Sequence, residues 1–191
     1  MPTPLLGRSE VNPAFNLERR IGGVEVRRYP PAVVAEAWVE GPAGQAGNQA
    51  FPILAGYMFG QNLARQRFAI TSPVLQAAAH GCIDTAGCLP SAPLRAGYVV
   101  QFLLPQGATA VSAPKPTDPR VTVRALPERR VAAITYLGAS TAANDATHLQ
   151  LLTTALREAG LHWSGEPVLA RHNRPFTLWI LRRHELWLTL P

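Results

Sequence analysis

The chain has 191 residues and a mass of 20.6 kDa, enough for one domain of ordinary size or two fused half-size units. Apolar residues make up 47 % and charged residues 16 %, which excludes wholesale disorder, and no apolar run approaches the ~20 residues of a membrane-spanning helix. The net charge is +6, yet the Arg pairs that carry much of it (Arg19-Arg20, Arg27-Arg28, Arg129-Arg130, Arg182-Arg183) lie far apart in the chain. Adjacent residues on a strand point to opposite faces, so such pairs build no single basic surface, and no nucleic-acid partner is expected. An anionic small ligand is compatible with the charge. The opening segment lacks a basic start followed by an apolar stretch, so the expected compartment is the cytoplasm.

Residues 1–20 carry Pro, Asn and charge without sustained periodicity and read as a tail or packed arm. From Val24 to Tyr29 apolar and polar residues alternate, the pattern of a half-buried strand. Pro30-Pro31 makes a turn, Ala32 to Val39 forms a second strand, and Gly41-Pro42 ends it. Gly44 to Gly60 reads as a helix, with Ala46, Ala50, Leu54, Tyr57 and Met58 near 3.6-residue spacing. Pro52 must then lie in its first turn or kink it. Arg67 to Leu75 is expected as a third strand broken near Pro73, and Gly97 to Leu104 as a fourth stopped by Pro105. Between them Ala77 to Ala96 is a loop of small residues holding both cysteines.

The pattern then starts again. Val121 through Gly138 aligns without gaps on Val24 through Gly41, with seven of eighteen pairs identical, including Val-x-Val-Arg, the Pro and the terminal Gly. A second helix follows, capped by Ser140 or Thr141, carrying the stripe Leu149, Leu152, Leu156 and Ala159, and ended by Gly160. Strands at about 166–172 and 183–190 complete the unit. Two repeats, about 21–116 and 117–191, each of strand, strand, helix, strand, strand, would make one α+β domain. Related by a pseudo-twofold, they could close their sheet edges into a barrel, with a cleft between the halves.

Several motifs in order, Val24-Glu-Val-Arg-Arg-Tyr-Pro30, Phe51-x-x-Leu54-Ala55-x-Tyr57-x-x-Gly60-x-Asn62, Ile70-Thr-Ser-Pro-Val74, Phe102-Leu-Leu-Pro105 and His172-Asn-Arg-Pro-Phe176 with Arg182-Arg183-x-Glu185, resemble the SOUL heme-binding protein family. The resemblance implies a distorted eight-stranded antiparallel barrel flanked by two helices, related to the effector-binding domains of gyrase-inhibitor-like proteins. It also implies non-covalent binding of heme or another tetrapyrrole, generally without catalysis. The porphyrin would lie against the first helix, at Phe51, Leu54, Ala55 and Met58, and against the loop before the last strand, at Phe176, Leu178 and Trp179. Basic residues that flank the propionates in vertebrate members are replaced here by Asn48, Gly56 and Thr177, leaving Arg65, Arg174 and Arg182 as substitutes.

His172 enters that loop directly, and imidazole is a common axial ligand of heme iron, which makes it the candidate metal ligand. The short loop His80-Gly-Cys82-Ile-Asp84-Thr-Ala-Gly-Cys88 has soft donors but not the usual zinc spacing. In the last strand Leu186, Leu188 and Leu190 share one face, while Glu185, Trp187 and Thr189 share the other. If the leucines face the helices, Glu185 and Trp187 face the cleft. A carboxylate there would have a raised pKa and could act as acid, base or anchor for a cation. The competing reading is a structural ion pair with Arg182 or Arg183. No nucleophile triad, phosphate loop or paired-carboxylate motif is present, so no catalytic residue is assigned. Three functions follow: a tetrapyrrole-binding protein, a small-molecule effector or hydrolase cleft on Glu185 and Trp187, or a module acting through its surface.

Overall fold

The structure, a computed structural model, describes residues 13–78, 97–172 and 182–191. Its strands are β1 (Asn16–Ile21), β2 (Val24–Tyr29), β3 (Ala32–Glu40), β4 (Val74–Ala78), β5 (Gly97–Leu103), β6 (Val121–Leu126), β7 (Arg129–Leu137), β8 (Ser164–Arg171) and β9 (Arg183–Leu190). The helices are α1 (Ala43–Met58) and α2 (Ala142–Glu158). All nine strands join one antiparallel sheet in the order β1-β2-β7-β9-β8-β4-β5-β3-β6. The α+β class and the two flanking helices are as expected. The sheet gains one strand, because Asn16–Ile21 of the supposed tail pairs with β2, and its order is open at β1 and β6.

The expected third strand is displaced. Only Val74–Ala78 pairs with β5 and β8, whereas Arg67 to Pro73 runs up to it without ladder bonds. Pro73 lacks an N–H and marks where pairing can begin. Pro52 does not lie in the first turn but stands in the interior of α1. Both Pro52 and Asn48, whose carbonyl loses its helical donor, are exposed, so water can satisfy that oxygen. At the far end Asn62, only 2 % exposed, donates to the carbonyls of Tyr57 and Gln66 and accepts from the Gln66 N–H, which fixes the turn after α1.

The helices cover one face of the sheet. Leu54, Tyr57 and Met58 of α1 pack on Val33, Ala35 and Ala37 of β3 and on Val100 and Phe102 of β5. Leu152 and Leu156 of α2 pack on Ala132 and Ile134 of β7 and on Leu186, Leu188 and Leu190 of β9. Each fully buried leucine stabilises the fold by about 1.5–3 kcal/mol. Of the two expected caps Thr141 serves α2, its Oγ1 accepting from the Asn144 N–H at 3.2 Å.

The opposite, inner face is buried as well. Tyr29 of β2, Leu75 of β4, Val99 of β5, Val131 of β7, Val168 of β8 and Trp187 of β9 form one cluster, with Trp38 of β3 packed against it. Those strands stand near both ends of the sheet order, so the sheet curls around its own inner face, a distorted barrel shape that stops short of closure. Strands are also exchanged along it. β2 pairs with β7, and β6 pairs with β3, so the first strand of each predicted half lies in the other half's part of the sheet. No helix among the described residues is long and apolar enough to cross a membrane.

Candidate functional site

The inner face carries the strongest concentration of charge. Alternation along β9 sends Leu186, Leu188 and Leu190 to α2 and turns Glu185 and Trp187 inward, as the sequence pattern requires. Glu185 is completely buried, and its carboxylate is surrounded by donors. Arg27 of β2 reaches across β7 and binds it in bidentate fashion, Nη1 to Oε2 at 2.8 Å and Nη2 to Oε1 at 3.2 Å. Thr135 Oγ1 donates at 3.1 Å, Trp187 Nε1 at 2.8 Å, and Arg183 Nη2 also donates. The His172 Nε2 lies 3.1 Å from Oε2. Arg27 is tied in turn to Glu25 and to the Tyr29 hydroxyl, and its guanidinium lies over the Phe15 ring. Tyr29 stacks on Trp187 with ring centroids 4.9 Å apart.

This environment reverses the expectation for Glu185. Burial pushes a carboxyl pKa up, but the contacts from His172 and Arg27 outweigh it and hold the group far below the usual carboxylate range. A carboxylate so placed stays ionised and makes a poor general acid or base at neutral pH. The ion-pair reading therefore describes Glu185, with Arg27 as a main partner beside Arg183. Arg27 is not among the partners expected from the sequence, which were Arg182 and Arg183; alternation along β2 puts it on the inner face with Tyr29, opposite Val24 and Val26. Its counterpart by alignment, Arg124, reaches the buried Glu36 in the same way, Nη2 to Oε2 at 3.2 Å, and Gln101 Nε2 donates to that oxygen at 2.8 Å. Each arginine thus clasps a carboxylate from the other half of the chain.

The predicted porphyrin contacts fall in different places. Leu54 and Met58 are fully buried between α1 and the sheet, and Ala55 is nearly so. Phe51 is half-buried and meets Phe102 edge to face. His172 turns to the inner face with Glu185, on the other side of the sheet from these α1 side chains. Its Nδ1 is buried without a hydrogen-bond partner. Phe176, Leu178 and Trp179 lie outside the described residues, as do Arg174, Thr177 and the His80–Cys88 loop. Arg65 takes a left-handed turn conformation with φ +52° just after α1.

Among the described residues a pocket of about 90 Å³ opens beside Tyr29, Pro31, Thr71, Leu104, Pro105 and Arg129. That is well below the roughly 300 Å³ at which small-molecule sites begin, so it does not enclose a ring the size of a porphyrin. No group of three or more His, Cys, Asp or Glu among the described residues is arranged to hold a metal ion.

Comparison with known proteins places this geometry. A family model described as SOUL heme-binding protein matches residues 11–189. No curated protein sequence matches. Among solved structures, a hydrolase from Listeria innocua superposes with a TM-score of 0.63 at 13 % identity, over 88 % of this chain and 91 % of that one. The C-terminal domain of EcmrR superposes with a TM-score of 0.61 at 8 % identity, over 88 % and 96 %. At such identities these likenesses establish the shared fold.

Proposed function

Because the chain belongs to the SOUL heme-binding protein family, we propose that it binds heme or a related tetrapyrrole non-covalently, for carriage, buffering or sensing. The observation that carries this reading is the family match over nearly the whole chain. The duplicated plan read from the sequence accords with it: with β1 set aside, the strand order is symmetric about the β8·β4 pair.

One feature of His172 suits an iron ligand. A ligating histidine commonly has its second ring nitrogen held by a carboxylate, and here Nε2 sits against Glu185 while Nδ1 has no partner. Heme, when bound, supplies an iron that accepts such a nitrogen. Apolar contact along α1 through Phe51 and Ala55 lies on the other side of the sheet from His172, so contact along α1 and ligation by His172 are alternative placements of the ring. Phe176, Leu178 and Trp179 are the further apolar contacts in this proposal. The pocket beside Tyr29 is too small to enclose a porphyrin, so the ring would lie elsewhere on the molecule.

The test is a hemin titration followed at the Soret band, repeated with His172→Ala. Saturable one-to-one binding at micromolar concentration is the expected result, and a linear, non-saturating response would overturn the proposal. A Soret shift lost in His172→Ala assigns iron ligation to that residue. A shift retained there assigns binding to the ring faces and carboxylates. The effector or hydrolase reading centred on Glu185 draws support from the shared fold, but Arg27 already fills the carboxylate's coordination. That reading predicts loss of turnover in Glu185→Gln with hemin affinity unchanged.

A further inference from the structure

On the helix face of the sheet α1 packs chiefly on β3 and β5, and α2 on β7 and β9, which leaves β8 and β4 between them. Polar residues rise from the sheet along this line, beside the apolar Val74 and Leu169. Arg171 of β8 is the register partner of His184 of β9, and His184 is the register partner of Tyr136 of β7. Gln76 of β4 stands one strand further on, its Nε2 donating to the Ala43 carbonyl in the first turn of α1 at 2.8 Å.

The two helix starts differ. At α2 the first turn has its own anion, Asp145, whose oxygens accept from Tyr136 and Ser140. The start of α1 has no acidic residue and no side-chain cap, since Pro42 occupies the cap position. What lies against the fifth residue of α1, Gly47, is a cation. A Cβ on Gly47 would come within 2.7 Å of Arg171 Nη1, so the guanidinium occupies the space that the glycine leaves. A positive side chain at the positive end of a helix dipole is electrostatically unfavourable unless an anion joins them.

Buried polar atoms along this line lack partners, the Gln76 Oε1 acceptor as well as ring and guanidinium nitrogens. Arg171 Nε is buried with no hydrogen-bond partner. His184 is 5 % exposed and lies beside the Tyr136 ring, with centroids 5.5 Å apart. The Gly138 carbonyl influences its imidazole without reaching good hydrogen-bond geometry, and neither ring nitrogen has a partner. Burial lowers the pKa of both Arg171 and His184, and Asp145 offsets this only at a distance. Orphaned buried donors of this kind are rare in folded proteins and point to a missing partner.

We infer that the crevice between the two helices is a binding site for a carboxylate, held by the Arg171 guanidinium, the His184 imidazole and the N-terminal turn of α1. Arginine supplies paired donors matched to a carboxylate, the neutral imidazole supplies one more, and the helix end supplies a complementary field. The carboxylate could belong to a tetrapyrrole propionate, in which case the site deepens the function proposed above, or to a free organic acid.

Two arms distinguish these sources. In the first, affinities for hemin and for hemin dimethyl ester, whose propionates are esterified, are measured for the native protein, Arg171→Gln and Gly47→Ala. A propionate site predicts that each substitution weakens hemin by roughly tenfold or more while the ester is unchanged. Gly47→Ala displaces only the end of a flexible side chain and favours the helix, so it guards against a folding defect in Arg171→Gln. In the second arm, thermal unfolding is followed with succinate against sodium chloride at equal ionic strength. A rise specific to succinate and lost in both variants supports a free-acid site, even if native protein fails to bind hemin and the tetrapyrrole reading falls. Equal effects on hemin and its ester, or none, together with no specific succinate response, overturn the inference.

Discussion

Glu185 and Arg27 show how a buried charge becomes a structural element. Removing one partner of such a pair leaves the other unpaired in a low-dielectric interior, which costs about 3–5 kcal/mol. Glu185→Gln is therefore expected to lower stability to urea by that order, even though the side chain keeps its shape. The same group makes stability depend on acid. Its folded pKa lies below the ordinary 4.5, so its contribution is fully present above that value and is lost as pH falls toward the folded value. His184 acts in the same direction at higher pH. Its folded pKa lies below the ordinary 6.5, so the unfolded chain takes up the proton first and stability falls as pH drops below about 6.5. Thermal unfolding between pH 7.5 and 5 should show this earlier decline, and His184→Gln should flatten it. A decline unchanged in that variant assigns the proton to another group.

At the level of elements, most strands and both helices were legible, because alternation and 3.6-residue spacing report burial directly. The strand Asn16–Ile21 was not, since its side chains are largely exposed and an edge strand needs no apolar face. The start of β4 was misplaced because the apolar residues before it, Phe68 and Ile70, pack against the α1 core from a loop, without strand pairing. The site was less legible than the fold. Spacing put Glu185 and Trp187 on the right face, but what sets the carboxylate's chemistry is Arg27, 158 residues away, and no local pattern reports that. Packing makes two further predictions. Leu152→Ala should cost about 2–5 kcal/mol in urea unfolding, whereas its exposed neighbour Leu151→Ala should stay within about 0.5 kcal/mol. Pro52→Ala, on the exposed side of α1, should raise stability by about 1–3 kcal/mol by restoring a helical hydrogen bond. Equal costs at the two leucines, or a loss at Pro52, would contradict the packing described.

For the whole molecule the governing feature is the exchange of strands between halves. Residues 21–116 and 117–191 expressed separately should each remain unfolded by amide dispersion and circular dichroism, and recover native signals when mixed. Independent folding of either piece would mean that β2·β7 and β6·β3 are not needed for the core. The exchange also sets a timetable for synthesis. Arg27 leaves the ribosome 158 residues ahead of Glu185, a delay of roughly 8–30 s at the usual pace of translation. Through that interval one edge of β2 lacks the strand that will pair with it, and Arg27 has Glu25 but not yet Glu185. Until β7 is made, that free edge of β2 is open to pairing with other chains.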